Sequence, residues 1–133
     1  MASLDTNILV RLLVQDDPRQ TAAVQRLLAQ SIQNAETLFV PVTVSLELEW
    51  VLRARYGFAK ADIVHTLSTL LRAVELSFES EPALEMALLY YEQSSSDYAD
   101  CLHVALAELA QAQPLWTFDK AATKTPGARL LAA

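Results

Sequence analysis

Asp5, Glu47, Asp100 and Asp119 occupy positions where a soluble chain gains little from a charge. Asp5 closes a short apolar start. Glu47 falls on the apolar stripe of a helical segment, with Val44, Trp50, Val51 and Ala54 around its direction. Asp100 lies in a helical segment that is apolar on nearly every side, and Asp119 ends the run Leu115-Trp116-Thr117-Phe118. A buried or half-buried carboxylate is costly unless something pairs with it. Brought together, four such groups call for a divalent cation, and ligands that are all oxygen favour Mg²⁺ or Mn²⁺.

Each acid also has a plainer reading. Asp5 fits as the N-cap of a helix starting at Thr6 or Asn7, and Asp119 as the cap of the turn Lys120-Ala121-Ala122. Asp100 in a first helical turn gains from the helix dipole. Asp97 reads as the N-cap of that helix, with a hydrogen-bonding role behind the metal ligands, or a fifth ligand, as alternatives. Glu49 points nearly opposite to Glu47 and has Arg53 four residues on, so it reads as surface charge. Thr6, Asn7 and Thr117 flank the acids and are placed to hydrogen-bond carboxylates or a metal-bound water, although such residues are also common in turns and caps. His65 and His103 make no zinc pattern and read as structural. Arg11 either faces the site and holds a phosphate or is a solvated helix residue.

Short apolar runs alternating with helical ones position these groups. Asp17 and Pro18 form a helix start, N-cap and first turn, for a helix to about Ser31 with Ala23, Leu27 and Leu28 along one side. A strand is expected at Leu38-Phe39-Val40, a helix from about Thr43 to Tyr56 stopped by Gly57, and another from Ala59 to Arg72. Val74-Glu75-Leu76 is a strand candidate, followed by a helix over Glu81–Glu92. Asp97 then opens a helix to about Gln111, and Leu115 to Phe118 reads as a strand. A last helical turn and a strand near Ala128 to Leu131 complete the pattern. Strands separated by helices indicate α/β architecture with a mostly parallel sheet covered on both faces. Ligands of such sheets gather beyond the carboxyl ends of the strands, where Asp5 and Asp119 fall.

The 133 residues suit a single domain, 1–133, with one hydrophobic core. Hydrophobic residues make up 53% and glycine is scarce, which indicates a globular, helix-rich chain rather than a disordered one. One cysteine, Cys101, excludes an internal disulfide framework and fits a reducing compartment. No signal peptide is recognisable, and no apolar run reaches the roughly 18 residues of a membrane span, so a cytoplasmic location is expected. The net charge of −6 argues against broad electrostatic binding of nucleic acid. Setting the four carboxylates aside leaves −2, which is compatible with a metal-dependent enzyme that grips phosphate locally.

With these residues in place, the chain resembles the PIN-domain nucleases, and among them the VapC-type toxins of bacterial and archaeal toxin–antitoxin pairs. The resemblance rests on Leu4-Asp5-Thr6-Asn7-Ile8-Leu9-Val10-Arg11, on Val42 through Leu52, on Asp97 through Ala105, and on Trp116-Thr117-Phe118-Asp119-Lys120, in this order and at these spacings. The family pattern Asp, Glu, Asp, Asp falls on Asp5, Glu47, Asp100 and Asp119. Thr117 matches the Ser or Thr two residues before the last Asp. Asp97 has a counterpart in part of the family, and a shifted alignment selects Glu49 in place of Glu47.

The resemblance implies a three-layer PIN-like fold with a short-stranded, mostly parallel central sheet flanked by helices. It implies a Mg²⁺- or Mn²⁺-dependent endoribonuclease, commonly a homodimer, with a cognate antitoxin that often lays a C-terminal segment across the acidic site. Asp5, Asp100 and Asp119 would then be metal ligands, with Glu47 completing the site or orienting the attacking water. A divalent ion would polarise the phosphoryl oxygen and activate water, leaving 5′-phosphate and 3′-hydroxyl ends. Arg11 and Lys120 are the leading candidates to grip RNA, alongside Arg53, Arg55, Lys60 and Lys124. A single-stranded region is the expected substrate, since a concave acidic rim does not accommodate an A-form duplex. Tyr98 and Trp116 are of a type that stacks bases, but both sit in apolar runs and are assigned to the core.

The competing class is a catalytically silent binding module whose acids receive a partner's arginine, or which captures RNA. A phosphoacceptor receiver domain fits poorly, because it wants paired acids closing the first strand and a strand-end Lys. Phosphomonoesterases of the Asp-x-Asp type fail because Asn7 stands where the second Asp should be.

Overall fold

A computed structural model describes every residue from Met1 to Ala133. The helices are α1 (Thr6–Leu13), α2 (Pro18–Gln33), α3 (Val42–Ala54), α4 (Lys60–Leu71), α5 (Glu81–Gln93) and α6 (Tyr98–Leu109). The strands are β1 (Leu38–Val40), β2 (Leu76–Phe78), β3 (Leu115–Thr117) and β4 (Ala128–Leu130), with a 3-10 turn at Ala122–Lys124 ahead of β4. These elements form two compact units, one of residues Met1–Ala59 and Thr69–Glu79, the other of Lys60–Ser68 and Ser80–Ala133. No helix is long and apolar enough to cross a membrane.

In the first unit, β1 and β2 pair in parallel, from Leu38 opposite Leu76 to Val40 opposite Phe78. Alternation sends Leu38, Val40, Leu76 and Phe78 into the core. Ser3 adds an isolated parallel bridge to Phe39, so the start of the chain runs alongside β1 and delivers Asp5 to the end of that segment. Leu9 and Val10 of α1 and Leu48, Val51 and Leu52 of α3 are buried, and α1 packs on both α2 and α3. Asp17 accepts from the backbone N–H of Gln20 and Pro18 opens α2, as the sequence predicts. The buried face of α2 differs from the expected one: it carries Thr21, Val24 and Ser31, while Ala23 and Leu27 remain exposed. Strand β2 begins two residues later than expected. Val74 lies in an exposed turn, and the register with β1 buries Leu76 and Phe78 instead.

In the second unit, α5 packs against α6. Leu84, Ala87, Leu88 and Tyr91 of α5, and Tyr98, Cys101, Leu102, Val104 and Ala105 of α6, are buried. The Tyr91 and Tyr98 rings meet edge to face, with centroids 5.4 Å apart. The expectation that α6 is apolar on nearly every side and central holds for Tyr98, Cys101, Leu102, Val104 and Ala105, whereas His103 and Leu109 are exposed. Strands β3 and β4 pair in parallel, from Leu115 opposite Ala128 to Thr117 opposite Leu130. Gly127 enters β4 with φ of +101°, and a Cβ there would lie 3.1 Å from Val104 Cγ1. The parallel strands anticipated for one sheet are thus hydrogen-bonded as two pairs, one in each unit.

Candidate active site

The acids of the first unit are set by two helix starts. Asp5 is the N-cap of α1: its backbone is extended and its carboxylate accepts from the N–H of Ile8 at 3.3 Å. Thr6, the next residue, is buried, and its hydroxyl donates to Glu47 Oε1 on α3. That bond ties the N-terminal turn of α1 to Glu47. Asn7 is exposed and lines a cleft of about 390 Å³ between α1 and α2 together with Asp5, Ile8, Arg11, Gln20 and Val24.

On α3 the structure reverses the expected exposure of Glu47 and Glu49. Glu49 is buried, at 3% exposure, and accepts from Arg53 Nε at 2.9 Å. Glu47 is exposed and held by Thr6. The i,i+4 partner foreseen for Glu49 is present, but it escorts a buried carboxylate rather than a surface one. A helical projection alone could not show this, because apolar residues flank both directions of α3 and the neighbouring elements decide which is covered.

In the second unit, Asp100 feels the charges of Asp119 and Asp97. Asp100 sits in the first turn of α6 and is half-buried. Burial holds its carboxyl above the ordinary carboxylate range, and the charges of Asp119 and then Asp97 push it the same way, while His103 opposes them. Asp97 occupies the N-cap position of α6 without making a side-chain cap bond. Asp119 is exposed and accepts from the backbone N–H of Ala121 at 2.9 Å, so it caps the following turn. Thr117 Oγ1 accepts from the N–H of Asp119 at 3.0 Å. It fixes the backbone that carries Asp119 rather than the carboxylate itself. Lys120 is exposed beside it.

No Lys or Arg forms an ion pair with Asp5, Glu47, Asp97, Asp100 or Asp119; the ion pairs of the fold are Arg11 with Asp16 and Arg53 with Glu49. A carboxylate without a basic partner offers oxygen of the kind that suits a hard divalent cation. Within either unit no three His, Cys, Asp or Glu side chains are gathered so as to hold a metal ion. Asp5 and Asp119 each accept from a backbone N–H group of their own turn.

Residues 2–128 match the family model of the PIN domain. The chain belongs to the PIN domain family. It is also 28% identical over 102 residues to a VapC ribonuclease of Aquifex aeolicus (strain VF5), an overlap of 77% of this chain and 75% of that protein.

Several side chains of this PIN domain differ from their sequence reading. Arg11 is neither free nor merely solvated: its guanidinium donates to Gln20 at 2.6 Å, to Asp16 at 2.7 Å and to the Tyr56 hydroxyl at 3.3 Å. Tyr98 is buried, as assigned, whereas Trp116 is 54% exposed and does not belong to the core. His65 and His103 are both exposed. Sequence reasoning missed Glu79, whose carboxylate accepts from the N–H of Val42 at 2.8 Å and serves the start of α3. Pro41 stands at that N-cap and has no side-chain oxygen to offer, which is the signal that another group must supply the bond.

Proposed function

We propose that this PIN domain is a metal-dependent endoribonuclease and the toxin of a toxin–antitoxin pair. The observation that carries the reading is the Asp100 group: a half-buried carboxyl crowded by Asp119 and Asp97, with no Lys or Arg paired to it, in a PIN-family chain. The similarity to a VapC ribonuclease supports RNA as the substrate. Asp5, Asp100 and Asp119 are the proposed ligands of Mg²⁺ or Mn²⁺, and Glu47 completes the site or orients water. When bound, the ion supplies Lewis-acid stabilisation of phosphoryl charge and acidifies water.

The remaining roles belong to the chain. Thr6 holds Glu47 in one rotamer through its hydroxyl. Thr117 holds the backbone at Asp119. Asp97 adds its negative charge to that of Asp119 at the Asp100 carboxyl, a field that a bound cation would relieve. Lys120, beside Asp119, is a candidate to meet a substrate phosphate. Arg11, with its donors already engaged, contributes to the cleft wall beside Asp5 rather than as an uncommitted phosphate ligand. A homodimer and an antitoxin partner remain part of this proposal, as does a cytoplasmic site of action.

The second reading is a silent module whose acids receive a partner's arginine. One experiment separates the two. The native chain with Mg²⁺ is expected to cleave RNA, leaving 5′-phosphate and 3′-hydroxyl ends, and Asp100→Asn is expected to cleave it roughly 10²- to 10³-fold more slowly. Equal cleavage by the two chains removes Asp100 from the chemistry. Products ending in 2′,3′-cyclic phosphate reject the water-attack route.

A further inference from the structure

Beside Asp119 the second unit presents aromatic surface that its own core does not use. Trp116 on β3 is 54% exposed and Phe118, just beyond that strand, is 70% exposed. Trp116 is opposite Arg129 in the β3–β4 register, and the guanidinium carbon of Arg129 lies 5.7 Å from the Trp116 ring centroid. Ladder partners share a face of the sheet, so an indole and a guanidinium are displayed side by side. Large exposed aromatic groups beside polar ones mark a surface built to be covered.

Charge identifies what would cover it. Beyond Glu108 the chain carries Lys120, Lys124 and Arg129 against one acid, Asp119, a net charge of +2 that leaves −8 on the remainder. Lys120, Lys124 and Arg129 are all exposed. Three of the ten cations thus lie in the stretch that carries these rings. Aromatic faces that stack bases, with cations for the phosphates between them, are the chemistry of single-strand binding. In a duplex those base faces are already stacked on one another.

We propose that Trp116, Phe118 and Arg129 form a stacking platform that seats single-stranded RNA beside Asp119. The choice of RNA rests on the ribonuclease reading above; the platform rests on exposure, register and charge.

The test uses the full chain in EDTA, which halts metal-dependent cleavage, and a fluorescein-labelled oligoadenylate. Trp116→Ala is expected to weaken binding by roughly 5- to 160-fold, the range for losing one stacked base, while Trp116→Phe retains most of the affinity. Arg129→Gln is expected to reduce the dependence of log affinity on log salt by about 0.7. Trp50 is the other tryptophan, so Trp50→Phe isolates the Trp116 signal: its emission should be quenched by the oligonucleotide, and the emission of Trp116→Phe should not. Unchanged melting of Trp116→Ala would exclude misfolding as the cause. Native affinity in both Trp116→Ala and Arg129→Gln overturns the platform, as does equal affinity for a duplex; the face would then belong to a protein partner. Those results alongside Mg²⁺-dependent RNA cleavage would leave the ribonuclease reading standing. Trp116-dependent binding without cleavage would do the reverse, and a native chain that neither binds nor cleaves RNA would end both.

Discussion

Asp100 is the acid that the fold supports least. Burial raises its carboxyl first, and Asp119 and Asp97 add to the shift. A raised folded-state pKa makes a contribution to stability that is full below the ordinary value of 3.8 and is lost as pH climbs through the folded value. Above that window the ionised group opposes folding. Asp100→Asn is therefore expected to be more stable than the native chain near neutral pH, with the difference vanishing in acid below the ordinary value. Denaturant melts of both chains across that range measure it, and a constant difference would deny the charge crowding. The same substitution is expected to reduce RNA cleavage by roughly 10²- to 10³-fold, the usual cost of deleting one electrostatic contributor. Thr6 acts through Glu47 rather than on substrate. Thr6→Val should reduce cleavage by about 10- to 100-fold, and Thr6→Ser, which keeps the donor, should restore it. That bond spans 41 residues, so nothing local in the sequence announces it. The capping roles of Asp5 and Asp119 were legible, because an N-cap answers to its own next three residues.

The helices and strands follow from local chemistry where local chemistry is strong. Asp17-Pro18 starts α2, Leu38 to Val40 forms β1, and Pro82 lies in the first turn of α5, each as read from the sequence. Errors arose where a neighbouring element decides burial. The exchanged roles of Glu47 and Glu49, the rotated face of α2, the shifted start of β2 and the exposure of Trp116 are all of this kind. Two further consequences belong to this scale. The hydroxyl of Ser45, buried in α3, has no hydrogen-bond partner. An unsatisfied buried hydroxyl costs about 1–3 kcal/mol, so Ser45→Ala is expected to raise the melting temperature, and a lower one would show that the hydroxyl has a partner. Gly127 combines φ of +101° with a close approach to Val104 on α6. Gly127→Ala is expected to destabilise by about 1–3 kcal/mol and to disturb β4, which carries Arg129; denaturant unfolding of the purified variant measures the loss.

For the molecule as a whole, the governing quantity is negative charge without internal compensation. The chain carries −6, and none of the acids assigned to the site has a basic partner. An ion that binds the folded state and not the unfolded one raises stability by mass action, by about 2.7 kcal/mol at a hundredfold excess over its dissociation constant. Mg²⁺ or Mn²⁺ is therefore expected to raise the melting temperature in a saturable way. Ordinary salt also screens self-repulsion in an acidic protein, so the comparison must be made against NaCl at equal ionic strength. Screening grows smoothly and survives any single substitution; site binding saturates and does not. Asp5→Asn and Asp100→Asn are each expected to abolish the saturable rise. If the two residues serve one ion, the double variant loses no more of it than either single variant, whereas independent sites would give additive losses. A native chain that melts identically in Mg²⁺ and in matched NaCl would remove the metal from the proposal and leave the acids available to a partner's arginine.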